Sequence, residues 1–364
     1  MYPYWLLYLS LAATALFYSR PPQTTPLDLP AGRLESRRDL ILISTAVFII
    51  LMIGLRYKVG GDWRAYLANS DLIAGRSLSW SIANSPNEPG YTLLNWIVLV
   101  IGSDIWLVNL ICAIPFVIGL MALARQQPNP YLALTVAAPL LIIVVGMGYT
   151  RQAAALGFLL IGITSLTAGK PFWRFLVWSG IGSLFHFSVL FFAPLTALLL
   201  LRGRLLSIVS MIFCAGVGYW FVLPSALERY STGYIRNVYE AQGAIFRVAL
   251  SALAGLIFLA FARRFSFNPI ENKMWRGWAL LSLISLSMLF LVRSTVIVDR
   301  LSLYLLPIQV VVFSRLPFAS GGRQSQSLWA LLMIAVFACV LFLWLTFANN
   351  AIFWIPYRVY PIFE

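Results

Sequence analysis

Charge is scarce in this chain. Of 364 residues, 26 are Lys or Arg, 12 are Asp or Glu and one is His; charged residues make up 10% of the whole. That is too little for the solvated surface of a soluble protein of this length, in which about a quarter of the residues are charged. One histidine and three cysteines cannot assemble a zinc site. Cys112, Cys214 and Cys339 lie inside apolar runs at unrelated spacing, so they read as small buried hydrophobes rather than a disulfide framework. No Gly-x-Ser-x-Gly elbow and no P-loop is present. Alternating apolar and polar strands are also missing, which excludes a β-barrel.

What is abundant is apolar. Hydrophobic residues make up 61% of the chain and the mean hydropathy is +0.86. Apolar runs of about 17 to 25 residues, the length a bilayer requires of a helix, recur from end to end. The pattern predicts an all-α polytopic membrane protein, a single integral membrane domain over 1–364. Spans are expected near 3–18, 40–57, 105–124, 131–147, 152–168, 172–185, 187–201, 205–223, 244–262, 274–292, 298–314 and 327–346. That is about twelve transmembrane helices. The first run has no basic leader and no small-residue cleavage site, so it reads as a retained helix. The stretch 91–102 is apolar but short and is taken as a re-entrant or interfacial helix; were it to cross, the parity of everything after it would invert.

Net charge is +14, but the basic residues are scattered over short loops, which speaks for topology and against nucleic acid. With the N-terminus outside, 15 of the 26 basic residues fall in inner turns and 11 outside. The inner ones cluster as topology anchors do. Many of the outer ones stand at helix ends beside carboxylates, aromatics and glycines. Segments 58–90, 224–243 and 347–364 are long enough to build an outer, periplasmic surface, and their Trp, Tyr and Asn residues suit either the interfacial belt or sugar faces. Arg56, Asp62, Arg64, Glu88, Arg151, His186, Arg293, Asp299 and Arg300 all sit at or near ends of apolar segments. An ionisable group there is costly without a partner or a polar cavity, which makes each a candidate for function.

Each candidate also has a structural reading. Asp62 can cap the helix that follows it. It can equally line a site with Arg56 and Lys58, where Gly60 and Gly61 let backbone N–H groups approach a phosphate and Arg64 stands close by. Glu88 can favour a helix N-terminus or orient an arginine or a sugar hydroxyl. Arg151, beside Gln152 in a very short turn, can snorkel or clamp a phosphate with its forked donors. His186 can be a satisfied core histidine, or the general base, with Ser188 orienting it or the acceptor. Asp299 and Arg300 can simply neutralise each other; alternatively Arg293 and Arg300 meet a leaving group near Tyr304 while Asp299 holds one of them. Arginines gathered with one histidine and a few carboxylates favour transfer from a diphosphate. Fixed positive charge would stabilise the departing group, and His186, Asp62 or Glu88 would take the proton of an acceptor hydroxyl.

Gly60-x-Asp62-x-x-x-Tyr66 after a basic helix end, Glu88-x-Gly90-Tyr91, Arg151-Gln152 opening a helix, His186-Phe-Ser188, Asp299-Arg300 leading to Tyr304, and a closing Trp354-x-Pro356-Tyr357 follow one another over some three hundred residues. In that order they resemble the EpsG-like branch of Wzy-type bacterial polysaccharide polymerases, with Gly61 standing where members of that family often carry a small hydroxyl residue. The resemblance implies a GT-C-like helical fold in the bacterial inner membrane and an active site facing the periplasm. It implies an inverting glycosyltransferase with undecaprenyl-diphosphate-linked oligosaccharide repeat units as donor and acceptor, working without a metal or other cofactor. Membrane lipids and a chain-length regulator would be its partners, for O-antigen, capsule or exopolysaccharide. The expected diphosphate ligands are Arg56, Arg151, Arg293 and Arg300; the catalytic candidates are His186, Asp62 and Glu88; Lys58, Arg64, Gln152, Ser188, Asp299 and Tyr304 would orient groups or bind the acceptor. Two rival readings are a membrane O-acyltransferase that decorates glycans and a flippase or transporter of lipid-linked oligosaccharides.

Overall fold

A computed structural model describes residues 1–17, 31–192, 243–291, 295–319 and 321–363, with isolated positions at 196, 208 and 212 and backbone alone at 31–38 and 297. Among the described residues every element is helical, apart from one antiparallel bridge between Arg56 and Val359. The α-helices are α1 (Tyr2–Phe17), α2 (Ala31–Gly54), α3 (Trp63–Ile73), α4 (Leu78–Asn84), α5 (Pro89–Val100), α6 (Ile105–Arg125), α7 (Pro130–Ala137), α8 (Thr150–Thr167), α9 (Phe172–Ser183), α10 (Ala244–Phe261), α11 (Pro269–Leu291), α12 (Thr295–Ser302), α13 (Pro307–Ala319) and α14 (Arg323–Phe347).

Five helical stretches are long and apolar enough to cross a membrane alone: Ile105–Arg125, Ala244–Arg264, Pro269–Leu291, Val298–Ala319 and Arg323–Phe347. Shorter apolar helices accompany them at Tyr2–Phe17, Asp39–Gly54, Pro89–Val100 and Pro130–Gly146. This is fewer than the twelve spans expected from the sequence. Of those, 205–223 and most of 187–201 lie outside the described residues, as does the outer segment 224–243 apart from Gly243. The expected span 298–314 is not one regular helix. It runs through the end of α12, a 3-10 turn at Leu303–Leu305 and the start of α13, because Pro307 has no N–H to continue the α-helical ladder.

The centre of the bundle is α7 and its continuation, a π-helix over Ala138–Gly146. Every residue from Tyr131 to Gly148 is buried, with α1, α13 and α14 packed around this rod. Pro139 enters its first turn without an N–H, which removes one α-type bond and accommodates the wider winding. Beside the rod, α6 crosses α8 so closely that a Cβ on Gly119 would strike the Gly157 carbonyl and a Cβ on Gly157 would strike the backbone of Pro115 and Phe116. In lipid, where water does not drive helices together, such close backbone approach is a main source of association. Outward-facing large residues such as Leu328, Leu331, Phe342 and Phe347 of α14 are exposed and apolar, as a lipid-facing surface requires.

The chain leaves α2 and enters α6 at the same end of the bundle. Gly54 packs on Leu110, and Arg56 donates from Nη2 to Asn109 Oδ1 at 2.9 Å. At the far end Arg125 lies 3.7 Å from Asp39, so α2 and α6 are antiparallel. The excursion between them, holding α3, α4 and α5, therefore returns to the end it left. With 12 residues, α5 is about 18 Å long, too short for about 30 Å of hydrocarbon. The opposite end carries its own polar cluster, in which Arg315 bonds Gln127, Gln126 and Phe265.

Gly157→Leu should separate α6 from α8 at a cost of about 3 kcal/mol or more, read as a lowered melting midpoint in detergent. Gly180→Leu, at a position whose Cβ meets nothing within 4 Å, should leave the midpoint unchanged.

Candidate active site

The loop after α2 is held in an unusual path. Lys58 has a φ of +54° and Gly60 one of +111°, and a Cβ at Gly60 would strike the Met147 carbonyl. The C-terminal segment straps this loop down. Gly60 N donates to Phe353 O (2.8 Å), Tyr57 N to Arg358 O (2.9 Å), and Tyr360 N to Leu55 O (2.8 Å). Trp354 is the wedge beneath it: buried against Gly148, its Nε1 donates to Ile143 O at 2.9 Å in the π-helix. Asp62 emerges from this loop at the N-cap position of α3, yet its side chain caps nothing. Its two carboxylate oxygens each lie 3.4 Å from Arg300 nitrogens, and the Tyr66 hydroxyl reaches it at 3.5 Å. Burial, then the Asp62 charge, raises the Tyr66 pKa, which keeps that phenol protonated as a donor.

Glu88 likewise stands at an N-cap position, of α5, without capping it. Gly90 N (2.9 Å) and Tyr91 N (3.2 Å) donate instead to the Leu184 carbonyl at the end of α9, and Gly90 is needed there because a Cβ would meet Leu184 O at 2.9 Å. Docked this way, Glu88 accepts from Arg151 Nη1 at 2.7 Å and from Phe187 N at 3.3 Å. His186 sits in the same turn, its ring 6.4 Å from that of Tyr304. Its Nδ1 accepts from Ser188 N at 3.3 Å, so in the neutral imidazole Nε2 carries the proton. Ser188 thus orients His186 through its backbone. Burial pushes the imidazole pKa down to about 4, with the Glu88 charge opposing.

Arg300, at the end of α12, lies with its guanidinium carbon 4.2 Å over the ring of Tyr149, and its carbonyl accepts from Gln152 Nε2. Asp299 does not pair with its neighbour Arg300, nor does it hold it. It accepts three bonds from Arg247, at 3.0, 2.7 and 2.7 Å, in a buried ion pair. Arg247 looked like one of many outward basic residues in the sequence; its place one turn inside an apolar helix was the available signal.

Arg56 stands apart from its expected role. It is 1% exposed, and its guanidinium is committed to Val59 O (3.2 Å), Ile53 O, Asn109 Oδ1 (2.9 Å) and Thr150 Oγ1 (2.6 Å). It lies beneath the site and does not face a ligand. Asn109, a lone amide inside an apolar helix, is the partner that sequence reasoning missed. Lys58 is exposed, 4.9 Å from the Tyr57 ring, and Arg64 is exposed with no ion pair among the described residues. Arg293 lies outside the described residues.

The structure therefore brings Asp62, Glu88, Arg151, Gln152, His186, Arg300 and Tyr304 together from five separate segments at one end of the bundle. Buried polar atoms without a partner among the described residues include Arg151 Nε, Gln152 Oε1 and Trp63 Nε1. Such orphans are uncommon in a closed core and suit a site that awaits a polar ligand. Among the described residues four arginines (Arg56, Arg151, Arg247, Arg300) meet three carboxylates (Asp62, Glu88, Asp299).

The model of the EpsG family matches residues 39–359. No curated protein matches the chain, and no solved structure does.

Two measurements check the electrostatics of the site. Arg247→Met strands the buried Asp299 and should cost about 3–5 kcal/mol in a detergent melt, most of which Arg247→Met/Asp299→Leu should recover. Because the chain has one histidine, an NMR titration of ¹³C-labelled histidine reads His186 directly. The imidazole should stay neutral down to about pH 4, and a midpoint near 6.5 would show it to be open to water.

Proposed function

The chain belongs to the EpsG family, and from that premise we propose that it is a bacterial polysaccharide polymerase. In this reading it is an inverting glycosyltransferase of the inner membrane, joining undecaprenyl-diphosphate-linked repeat units at the periplasmic face. The observation that carries the proposal is the pairing of Arg151 with Glu88 and of Arg300 with Asp62 at one end of an apolar helical bundle. A transporter needs its charges in mid-membrane; these gather at helix ends.

The donor diphosphate takes the free donors of Arg151 and Arg300. The Asp62–Arg300 contacts, at 3.4 Å, are the looser pair, so a phosphate oxygen displaces Asp62 from Arg300 at small cost. The freed carboxylate then stands beside the acceptor. An acceptor hydroxyl oxygen attacks the anomeric carbon of the donor glycan, the bond from that carbon to the diphosphate oxygen breaks, and the hydroxyl proton passes to Asp62. The diphosphate leaves on its lipid with its charge met by the two guanidinium groups. Glu88, bonded to Arg151 at 2.7 Å, is a positioning residue. His186, with Nδ1 already accepting, offers an Nε2 proton as a donor to substrate and is a weaker candidate for the base than Asp62. The half-buried Trp80 of α4 would give the acceptor sugar a face to lie on, and a chain-length regulator would bind outside the site.

Purified wild type in lipid nanodiscs should build polymer from lipid-linked repeat units. Asp62→Asn should lower the rate by about 10²–10⁴-fold, the usual scale for a lost general base, while His186→Gln should lower it by roughly tenfold. Full loss in His186→Gln with near-normal polymer from Asp62→Asn would reverse the two roles. Transfer of an acyl group instead of a glycan would replace the proposal with an O-acyltransferase.

A further inference from the structure

A cavity of about 430 Å³ opens beside the site, between the start of α10, the end of α14 and the π-helix. Its volume lies in the range of ligand pockets. Its two ends differ in chemistry. The inner end is closed by Tyr149 and Arg247. Tyr149 carries Arg300 on its ring face, and Arg247 is locked to Asp299, the residue before Arg300. This end is therefore a shared wall with the diphosphate-binding arginines. The outer end is walled by Phe246, Leu343 and Phe347, which are 42%, 41% and 68% exposed, and the lining also includes the exposed Asn349 and Asn350. The three apolar residues lie at the ends of two helices that are long and apolar enough to span.

An aqueous phosphate or sugar has no use for such an outer half, and a hydrocarbon alone has none for the inner. One molecule that carries a diphosphate directly on an apolar chain satisfies both. We propose that this groove holds the isoprenoid units nearest the diphosphate of the lipid-linked donor, with the rest of the chain passing out between Phe246 and Phe347 into the bilayer. The proposal rests on the reading of the protein as a lipid-diphosphate polymerase and names the part of the fold that selects the lipid. Tyr149 joins the two parts: its ring carries Arg300 and it also lines the groove, so headgroup and chain are registered against a single side chain.

The test uses the full chain in nanodiscs and a donor analogue with a diazirine on its first isoprene unit. Photolysis should place adducts on peptides covering 343–350 or 244–247, and excess undecaprenyl diphosphate should suppress them while phosphatidylglycerol does not. Leu343→Trp, which fills the groove from its lipid-facing wall, should raise KM roughly tenfold for the long-chain donor. It should leave KM unchanged for a donor cut to two isoprene units. Adducts confined to other helices while polymer still forms would overturn the groove and leave the polymerase reading intact. Equal suppression by phosphatidylglycerol would make it a general lipid crevice and also overturn it. A chain that binds no lipid diphosphate at all would bring down both.

Discussion

Three consecutive side chains at the start of α8 hold the functional end of this protein together. Thr150 accepts from Arg56 at 2.6 Å and donates to Asn109 at 2.9 Å, which ties in α2 and α6. Arg151 bonds Glu88 at the start of α5. Gln152 donates to the carbonyl of Arg300 in α12. Successive residues of a helix point about 100° apart, so one turn reaches three directions. The close crossing of α6 and α8 at Gly119 and Gly157 sets the height of that turn. If α8 shifted along its axis, three sets of buried donors would lose their acceptors together, each at the desolvation cost of an unmet group.

Charge is arranged unevenly along the bundle. At the far end Arg315 has carbonyl and amide acceptors and Glu271 at 3.6 Å, so its charge is matched by one carboxylate. At the end that holds Asp62 and Glu88, four arginines meet three carboxylates among the described residues, and Arg56 has only neutral acceptors. A buried cation without a counter-ion is expensive in a medium of low dielectric, and Arg56 offsets that expense with hydrogen bonds to neutral oxygens of Ile53, Val59, Asn109 and Thr150. The carboxylates keep the arginines apart and oriented. Of the two pairs, Asp62–Arg300 is the looser, at 3.4 Å against 2.7 Å for Glu88–Arg151.

The C-terminal segment makes the floor of this arrangement. Trp354 fills the space that Gly148 and Gly61 leave open and bonds the π-helix. Tyr4 donates to the Trp354 carbonyl at 2.6 Å and Tyr357 to Met52 O at 2.7 Å. The first and last parts of the chain thereby clamp the same loop, the one that delivers Asp62. At the end of the π-helix the Met147 N–H bonds Val144 O instead of Ile143 O, which leaves the Ile143 carbonyl to accept from the indole.

Much of the fold was legible in the sequence, because the bilayer's demand for long apolar helices is written as run length. Most described helices begin and end within a few residues of the expected segments; the break at Pro307 is a local proline effect that a hydropathy average smooths over. The candidate residues were legible as types: charge at the edge of an apolar run is costly anywhere in such a protein, whichever helix lies next to it. Their partners were not. Asp62 and Glu88 have the sequence context of helix caps, and only the tertiary structure gives them Arg300 and Arg151, from 238 and 63 residues away. Asp299 and Arg300 look like a self-neutralising pair, yet adjacent residues of a helix face different ways and find Arg247 and Asp62 instead. Arg56 looked like a ligand and became a buried strut because Asn109 and Thr150 close over it. By itself the sequence determined the solvent, the helices and the inventory of charged groups, all of which depend on local composition. Which charge meets which, and that the chain between α2 and α6 returns to the end it left, depended on contacts between distant segments, and those exist only once the helices have packed.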